Sequence, residues 1–249
     1  MSDPSVSRET ATPPVPEAAR GVFAEHLGVA ASYAEALATD GVVRGLIGPR
    51  EAPRLWERHL LNCAVLEEAV PHGSRVADIG SGAGLPGVVL AIVRPDAEVT
   101  LVEPLLRRTT FLEEVVARLG LRNVRVVRGR ADALHGSEQF DVVTSRAVAA
   151  LPKLAQWCLP LVAPHGEMVA LKGSGALDEA EEATPELLSR GAAAPRVTEL
   201  GRGRVAETTW AVRIAWADPS SVSLSAGRSS SPSRGAKGPR RKRGRAHGR

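Results

Sequence analysis

The chain has no run of about 18 consecutive apolar residues, so no segment is long enough to span a bilayer as a helix. It has only two cysteines, Cys63 and Cys158, far apart and each among apolar neighbours. That excludes a disulfide framework and reads as two buried, reduced thiols. The six histidines are scattered and no Cys/His cluster has ligand spacing, so no metal site is expected. The polar, acidic N-terminus has no charged-then-apolar leader, and the expectation is a cytoplasmic protein. Acidic residues are missing from one stretch. Pro219 to Arg249 carries nine Lys/Arg and no acid, which leaves residues 1–218 of a +4 chain with a net charge of −5. This tail of Ser, Gly and Arg is expected to be disordered. It is suited either to nonspecific phosphate contact or to keeping the protein in solution.

What is present centres on Val76-Ala77-Asp78-Ile79-Gly80-Ser81-Gly82-Ala83-Gly84-Leu85-Pro86-Gly87-Val88. A short apolar run reads as a buried strand, the glycines as a tight turn, and the Pro as a helix opening. Glycines let a ligand approach the backbone closely, and free N–H groups at the helix start are expected to face the same space. Gly82 to Gly87 satisfies the dinucleotide pattern G-x-G-x-x-G. Gly80 and Ser81, however, stand between the strand and that pattern. The fuller Asp78-x-Gly80-x-Gly82-x-Gly84 is similar to motif I of S-adenosylmethionine (SAM) methyltransferases. An acid beside the strand end suits an ammonium group better than a pyrophosphate, so the residues favour SAM over NAD.

The rest of the chain alternates strands and helices. Residues 1–18 are Pro- and Ser-rich and expected to be disordered. Helical spacing runs from about Glu17 to Leu37, is interrupted by Gly41 and by Gly45 to Pro49, and resumes from about Glu51 to Val70. Strands are expected at Glu98 to Glu103, Val124 to Arg128, Phe140 to Ser145 and Gly166 to Lys172, with one strand or a pair between Val205 and Ala217. Helices are expected at about 105–120, 151–161 and 178–190. This pattern argues an α/β fold with a mostly parallel sheet flanked by helices, and an N-terminal helical extension. The expected organisation is a disordered 1–18 N-terminus, a 19–72 helical region, a 73–218 methyltransferase domain and a disordered 219–249 basic tail. In such sheets the ligand lies beyond the carboxyl ends of the strands. Gly80, Glu103, Asp132 and Arg146 all follow strand ends and are expected to converge there. Glu103 is the expected ribose acceptor, and Gly82 and Gly84 the approach to the methionine end.

Several stretches together resemble one family, the RsmG (GidB) methyltransferases, which modify a guanine N7 in 16S ribosomal RNA. They are Asp78 to Gly87, Ile92-Val-Arg-Pro95, Arg107-Arg108 before Phe111-Leu112, Ser145-Arg146-Ala147, Ala170 to Gly173, and Arg58-His59-Leu60-Leu61-Asn62. The resemblance covers roughly residues 30–190 and departs at Gly45 to Pro49, where the family often has an Asn-Leu-Thr segment. It implies a class I SAM-dependent, Rossmann-like fold with SAM contacts at Gly80, Leu85, Ala131, Asp132 and Arg146. It also implies 16S rRNA of the small ribosomal subunit as partner; a monomer is expected. Guanine N7 carries no proton to remove, so no general base is needed. Arg50, Arg58, His59, Arg107, Arg108 and Lys172 are then candidates for placing the RNA, although a solvated helix face is the plainer reading of such charges. A methyltransferase of a small molecule or protein, suggested by the acidic body, and an NAD-dependent oxidoreductase are the other classes considered.

Overall fold

The computed structural model describes residues 12–146 and 149–222. The first 11 residues, Ala147 and the tail beyond Val222, with what the sequence leads one to expect of them, lie outside that range.

A seven-stranded sheet runs in the order β3-β2-β1-β4-β5-β7-β6. The strands are β1 (Arg75–Ile79), β2 (Glu98–Glu103), β3 (Val124–Arg128), β4 (Phe140–Arg146), β5 (Val162–Lys172), β6 (Arg196–Leu200) and β7 (Thr209–Ala215). The first five pair in parallel, and β7 runs antiparallel to both β5 and β6. The central strands are buried on both faces, as the near-continuous apolar runs of Val76 to Ile79 and Val99 to Val102 require. The order reverses between β1 and β4, which opens a crevice beyond their carboxyl ends.

The strand period of two divides the core. Val76, Val99, Leu101, Val142 and Val169 face one layer, while Ala77, Ile79, Val102, Val143 and Met168 face the other. Helices α6 (Leu151–Cys158) and α7 (Ala176–Ser189) cover the second face. The first is covered by α4 (Gly87–Val93), α5 (Leu106–Leu119) and the N-terminal helices, which bring Phe23, Tyr33 and Trp56 into it. Phe23 meets Trp56 edge-on, with ring centroids 6.0 Å apart. The N-terminal helices therefore share the core of the sheet.

Sequence periodicity located these helices but missed their breaks. The first expected helix is two, α1 (Glu17–Phe23) and α2 (Leu27–Ala36), separated by a tight turn at Ala24, whose φ is +45°. The second is an irregular rod. It passes through a 3-10 turn (Ala52–Arg54), a widened π-helical stretch (Leu55–Leu61), the single α-helical turn α3 (Asn62–Ala64) and another 3-10 turn (Val65–Ala69). A π-helical stretch shifts the register of the side chains that follow, and Arg58 and His59 lie inside it. The last strands are a pair, but β6 begins at Arg196, before the expected region. Its half-buried Arg196-Val-Thr-Glu-Leu200 gave little alternation to read.

Candidate functional site

A cavity of about 840 Å³ opens at the carboxyl ends of the parallel strands. The turn after β1 forms its floor with Gly80 to Ala83 and Leu85. The end of β2 adds Glu103 to Leu105 and Arg108, the loop after β3 adds Gly129 to Asp132, and β4 adds Arg146. Lys153 and Trp157 of α6 close one side, with the ammonium 5.3 Å from the indole centroid. The opposite side comes from the N-terminal region, through Leu46 to Gly48, Glu51 and His59.

Seven of the eight expected cofactor residues line this space: Gly80, Gly82, Leu85, Glu103, Ala131, Asp132 and Arg146. Gly84 does not. A Cβ on Gly84 would lie 2.5 Å from Val88 Cγ2 and 2.7 Å from the Tyr33 hydroxyl, so that glycine lets α4 and α2 close on the turn. Gly82 differs. Its φ is +59°, and a Cβ there would meet only the Gly80 carbonyl at 3.8 Å, on the side open to the cavity.

Glu103 is almost wholly buried, and its carboxylate organises the turn. Oε2 accepts from the Gly82 N–H at 3.1 Å and Oε1 from the Leu105 N–H at 3.0 Å. Arg108 Nη1 approaches Oε2 at 3.4 Å. A carboxylate has about four lone-pair sites, so hydroxyls reaching this rim can still be accepted.

Two expectations about the turn are corrected. Asp78 does not face the ligand space; it is fully buried beneath the turn, where Oδ2 accepts from the Gly87 N–H at 3.0 Å. Among the described residues its Oδ1 is buried without a hydrogen-bond partner, and burial raises the carboxyl to about 7 against the pull of the Gly87 N–H. The N-terminus of α4 does not reach the cavity either. Its first N–H groups are taken by Asp78 Oδ2 and by the Gly84 carbonyl, at 2.8 Å from Val88 N. The four residues Ala83 to Pro86 separate the helix start from Gly82, the last glycine of the turn to line the cavity.

The N-terminal side is tied to the cofactor side by one chain of hydrogen bonds. Arg146 Nη2 lies 3.0 Å from His59 Nδ1, and Nη1 donates to the Arg58 carbonyl at 3.3 Å. Arginine only donates, so His59 Nδ1 accepts, and the ring proton sits on Nε2, which donates to Glu51 Oε2 at 3.1 Å. Burial and the Arg146 charge hold the His59 pKa below its ordinary value, which keeps the ring neutral.

The expected RNA-placing residues divide. His59 and Arg108 line the cavity. Arg50, Arg58 and Arg107 are exposed outside it. Lys172 is withdrawn from any phosphate role: its ammonium pairs with Glu179 at 2.7 Å and donates to the Ala149 carbonyl at 3.2 Å, tying β5 to α7. Sequence reading missed Glu51, Lys153, Trp157 and the Leu46–Gly48 segment. Lys153 and Trp157 stand four apart on a helix, one turn on one face, a spacing that was available as a signal. Leu46–Gly48 looked like a break between helices.

A parallel sheet with one reversed strand, a glycine turn after β1 and a buried acid ending β2 together define a class I SAM-dependent methyltransferase. A family model described as GidB, rRNA small subunit methyltransferase G, matches residues 27–206. A protein of Nocardioides sp. named Ribosomal RNA small subunit methyltransferase G is 61% identical over 224 residues, which cover 90% of this chain and 88% of that one. Proteins of the same name from Thermobifida fusca and Streptomyces coelicolor are 55% and 56% identical. Those matches cover 92% and 84% of this chain, and 96% and 88% of the respective relatives. The chain belongs to the GidB family.

Proposed function

We propose that this protein transfers a methyl group from SAM to N7 of a guanine in 16S rRNA of the small ribosomal subunit. The observation that carries the proposal is family membership across residues 27–206, the span that holds every residue lining the cavity. The residues present suit SAM. The turn at Gly82 is open to close approach, buried Glu103 has lone pairs left for ribose hydroxyls, and Ala131 and Asp132 offer a backbone edge and an acceptor to an adenine. Bound SAM supplies an electrophilic methyl group.

The protein's own task is placement. Guanine N7 offers an in-plane lone pair without a proton, so acceleration comes from holding it in line. His59, neutral and hydrogen-bonded through both ring nitrogens, is a positioning group. Charge at the mouth supports an RNA partner. Among the described residues, Arg50, Arg58, Arg107 and Arg128 have no carboxylate partner and stand next to cavity-lining residues in sequence, and Arg130, also without one, lines the cavity itself. Most other described arginines are paired, as Arg44 is with Glu114, Arg118 with Glu35 and Arg204 with Glu67, while Arg54, Arg122 and Arg146 have no carboxylate partner. The net charge of the body is thus not the charge the mouth presents, which disfavours a small-molecule or protein substrate.

In this reading residues 19–72 serve the substrate and 73–218 the cofactor, with 1–18 and 219–249 as flanking segments. No described helix is long and apolar enough to cross a membrane, and the working form is a cytoplasmic monomer. Labelled SAM offered with small subunits, naked 16S rRNA or a cell extract tests the proposal. Label should enter small-subunit RNA; label only in protein or in small molecules would reject it.

A further inference from the structure

Glu51 is a carboxylate on the N-terminal wall of the cavity, apart from the strand-end residues that suit the cofactor. It sits on the N-terminal side with Leu46, whose half-buried side chain supplies apolar surface of the kind that packs on a base. The backbone holds this wall: Leu46 N donates to the Gly41 carbonyl at 2.8 Å, and Glu51 N to the Gly48 carbonyl at 2.8 Å. Glu51 Oε2 accepts from His59 Nε2, and among the described residues Oε1 has no hydrogen-bond partner. The side chain is 38% exposed, open enough to be reached and not merely solvated.

We infer that Glu51 reads the target base, accepting hydrogen bonds from guanine N1–H and the 2-amino group. The inference rests on the proposed guanine substrate and adds the residue that selects it. A carboxylate offers two adjacent acceptors, and guanine is the purine with two adjacent donors on that edge. Adenine presents an unprotonated ring nitrogen there, and two acceptors facing each other are repelled. N7 belongs to the imidazole ring, at the far end of the purine from the amino group. A base held at Glu51 by its donor edge therefore turns N7 away from the N-terminal wall and into the cavity, whose floor holds Gly80 and Gly82. Glu51, His59 and Arg146 form one hydrogen-bonded chain between these walls, so the base and the cofactor are placed by a shared support.

The test is a cycle of two changes, one on each partner. Small subunits are reconstituted on 16S rRNA that carries either guanosine or inosine, which lacks the 2-amino group, at the methylated position. Wild-type protein and Glu51→Gln are compared in single turnover with excess protein. Wild type should methylate the inosine substrate more slowly by roughly 5- to 150-fold, the discrimination of a good paired contact. Glu51→Gln should lose a similar factor on guanosine and little more on inosine, because both changes remove the same contact. Glu51→Asp, which keeps a carboxylate, should prefer guanosine more than Glu51→Gln does. SAM affinity by calorimetry should be unchanged in Glu51→Gln, whose amide oxygen can still accept from His59 Nε2, which also reports that it folds. Equal wild-type rates on the two substrates, losses that multiply, or loss of SAM affinity in Glu51→Gln would each overturn the assignment. If wild type methylates no guanosine in small subunits, the proposed function fails and the assignment of Glu51 falls with it, whereas the outcomes above overturn the assignment alone.

Discussion

Gly82 and Gly84 stand two residues apart in one motif, yet the structure gives them different tasks, and alanine at each should separate the two. At Gly84 a Cβ would lie 2.5 Å from Val88 Cγ2 and 2.7 Å from the Tyr33 hydroxyl, with φ at +99°. Neither neighbour can yield easily. Val88 is fully buried, and the Tyr33 hydroxyl donates to the Ala83 carbonyl at 2.7 Å. Left-handed backbone costs an alanine about 1–2 kcal/mol, and overpacking a core about 1–3 kcal/mol. Gly84→Ala should then lose about 2–5 kcal/mol, a fall in Tm of roughly 4–20 °C at about 2–4 °C per kcal/mol. Gly82→Ala carries only the backbone cost of about 1–2 kcal/mol, because its Cβ meets nothing closer than 3.8 Å. Its loss should instead be in SAM affinity, since the added methyl enters the cavity, and Gly82→Val should abolish binding. Thermal unfolding and SAM calorimetry on the same preparations measure both. A stable Gly84→Ala that no longer binds SAM, or a Gly82→Ala that binds normally, would refute the division.

Other changes test the supports of the site. Glu103→Gln keeps one acceptor but turns an amide toward a backbone N–H, and should weaken SAM binding by about 1–3 kcal/mol in calorimetry. Asp78 titrates near 7 when folded against 3.8 as an ordinary carboxyl. The unfolded chain therefore releases its proton first, and stability falls as pH rises from about 4 to 7, by up to about 4 kcal/mol. Asp78→Asn should flatten that slope relative to wild type in urea unfolding across this range; an unchanged slope would mean that Asp78 ionises freely. Arg58→Ala should leave SAM affinity intact and slow methyl transfer, whereas His59→Ala, by freeing Arg146, should reduce both. Removing residues 223–249, which hold all nine tail cations, should lower the salt dependence of RNA binding measured by titration.

The strands and the glycine turn were legible because buried parallel strands are apolar throughout and positive-φ turns select glycine. The convergence of Gly80, Glu103, Asp132 and Arg146 followed from topology alone. What one-dimensional spacing could not show was which polar group a neighbour had already taken. Asp78 is spent on Gly87, Lys172 on Glu179, and Gly84 on packing, although each sits in a stretch shared with the family. The N-terminal wall was illegible for a related reason. Leu46 to Glu51 has no helical or strand period, and its role comes from where the chain returns to the sheet.

The central claim turns on a single atom. Small subunits from cells lacking this activity, incubated with the protein and SAM, can be digested and their 16S rRNA mapped by mass spectrometry. One guanine should gain a methyl at N7, and none should in the absence of SAM. Methylation at another atom or another base, or RNA that stays unmodified while SAM is bound, would contradict the claim.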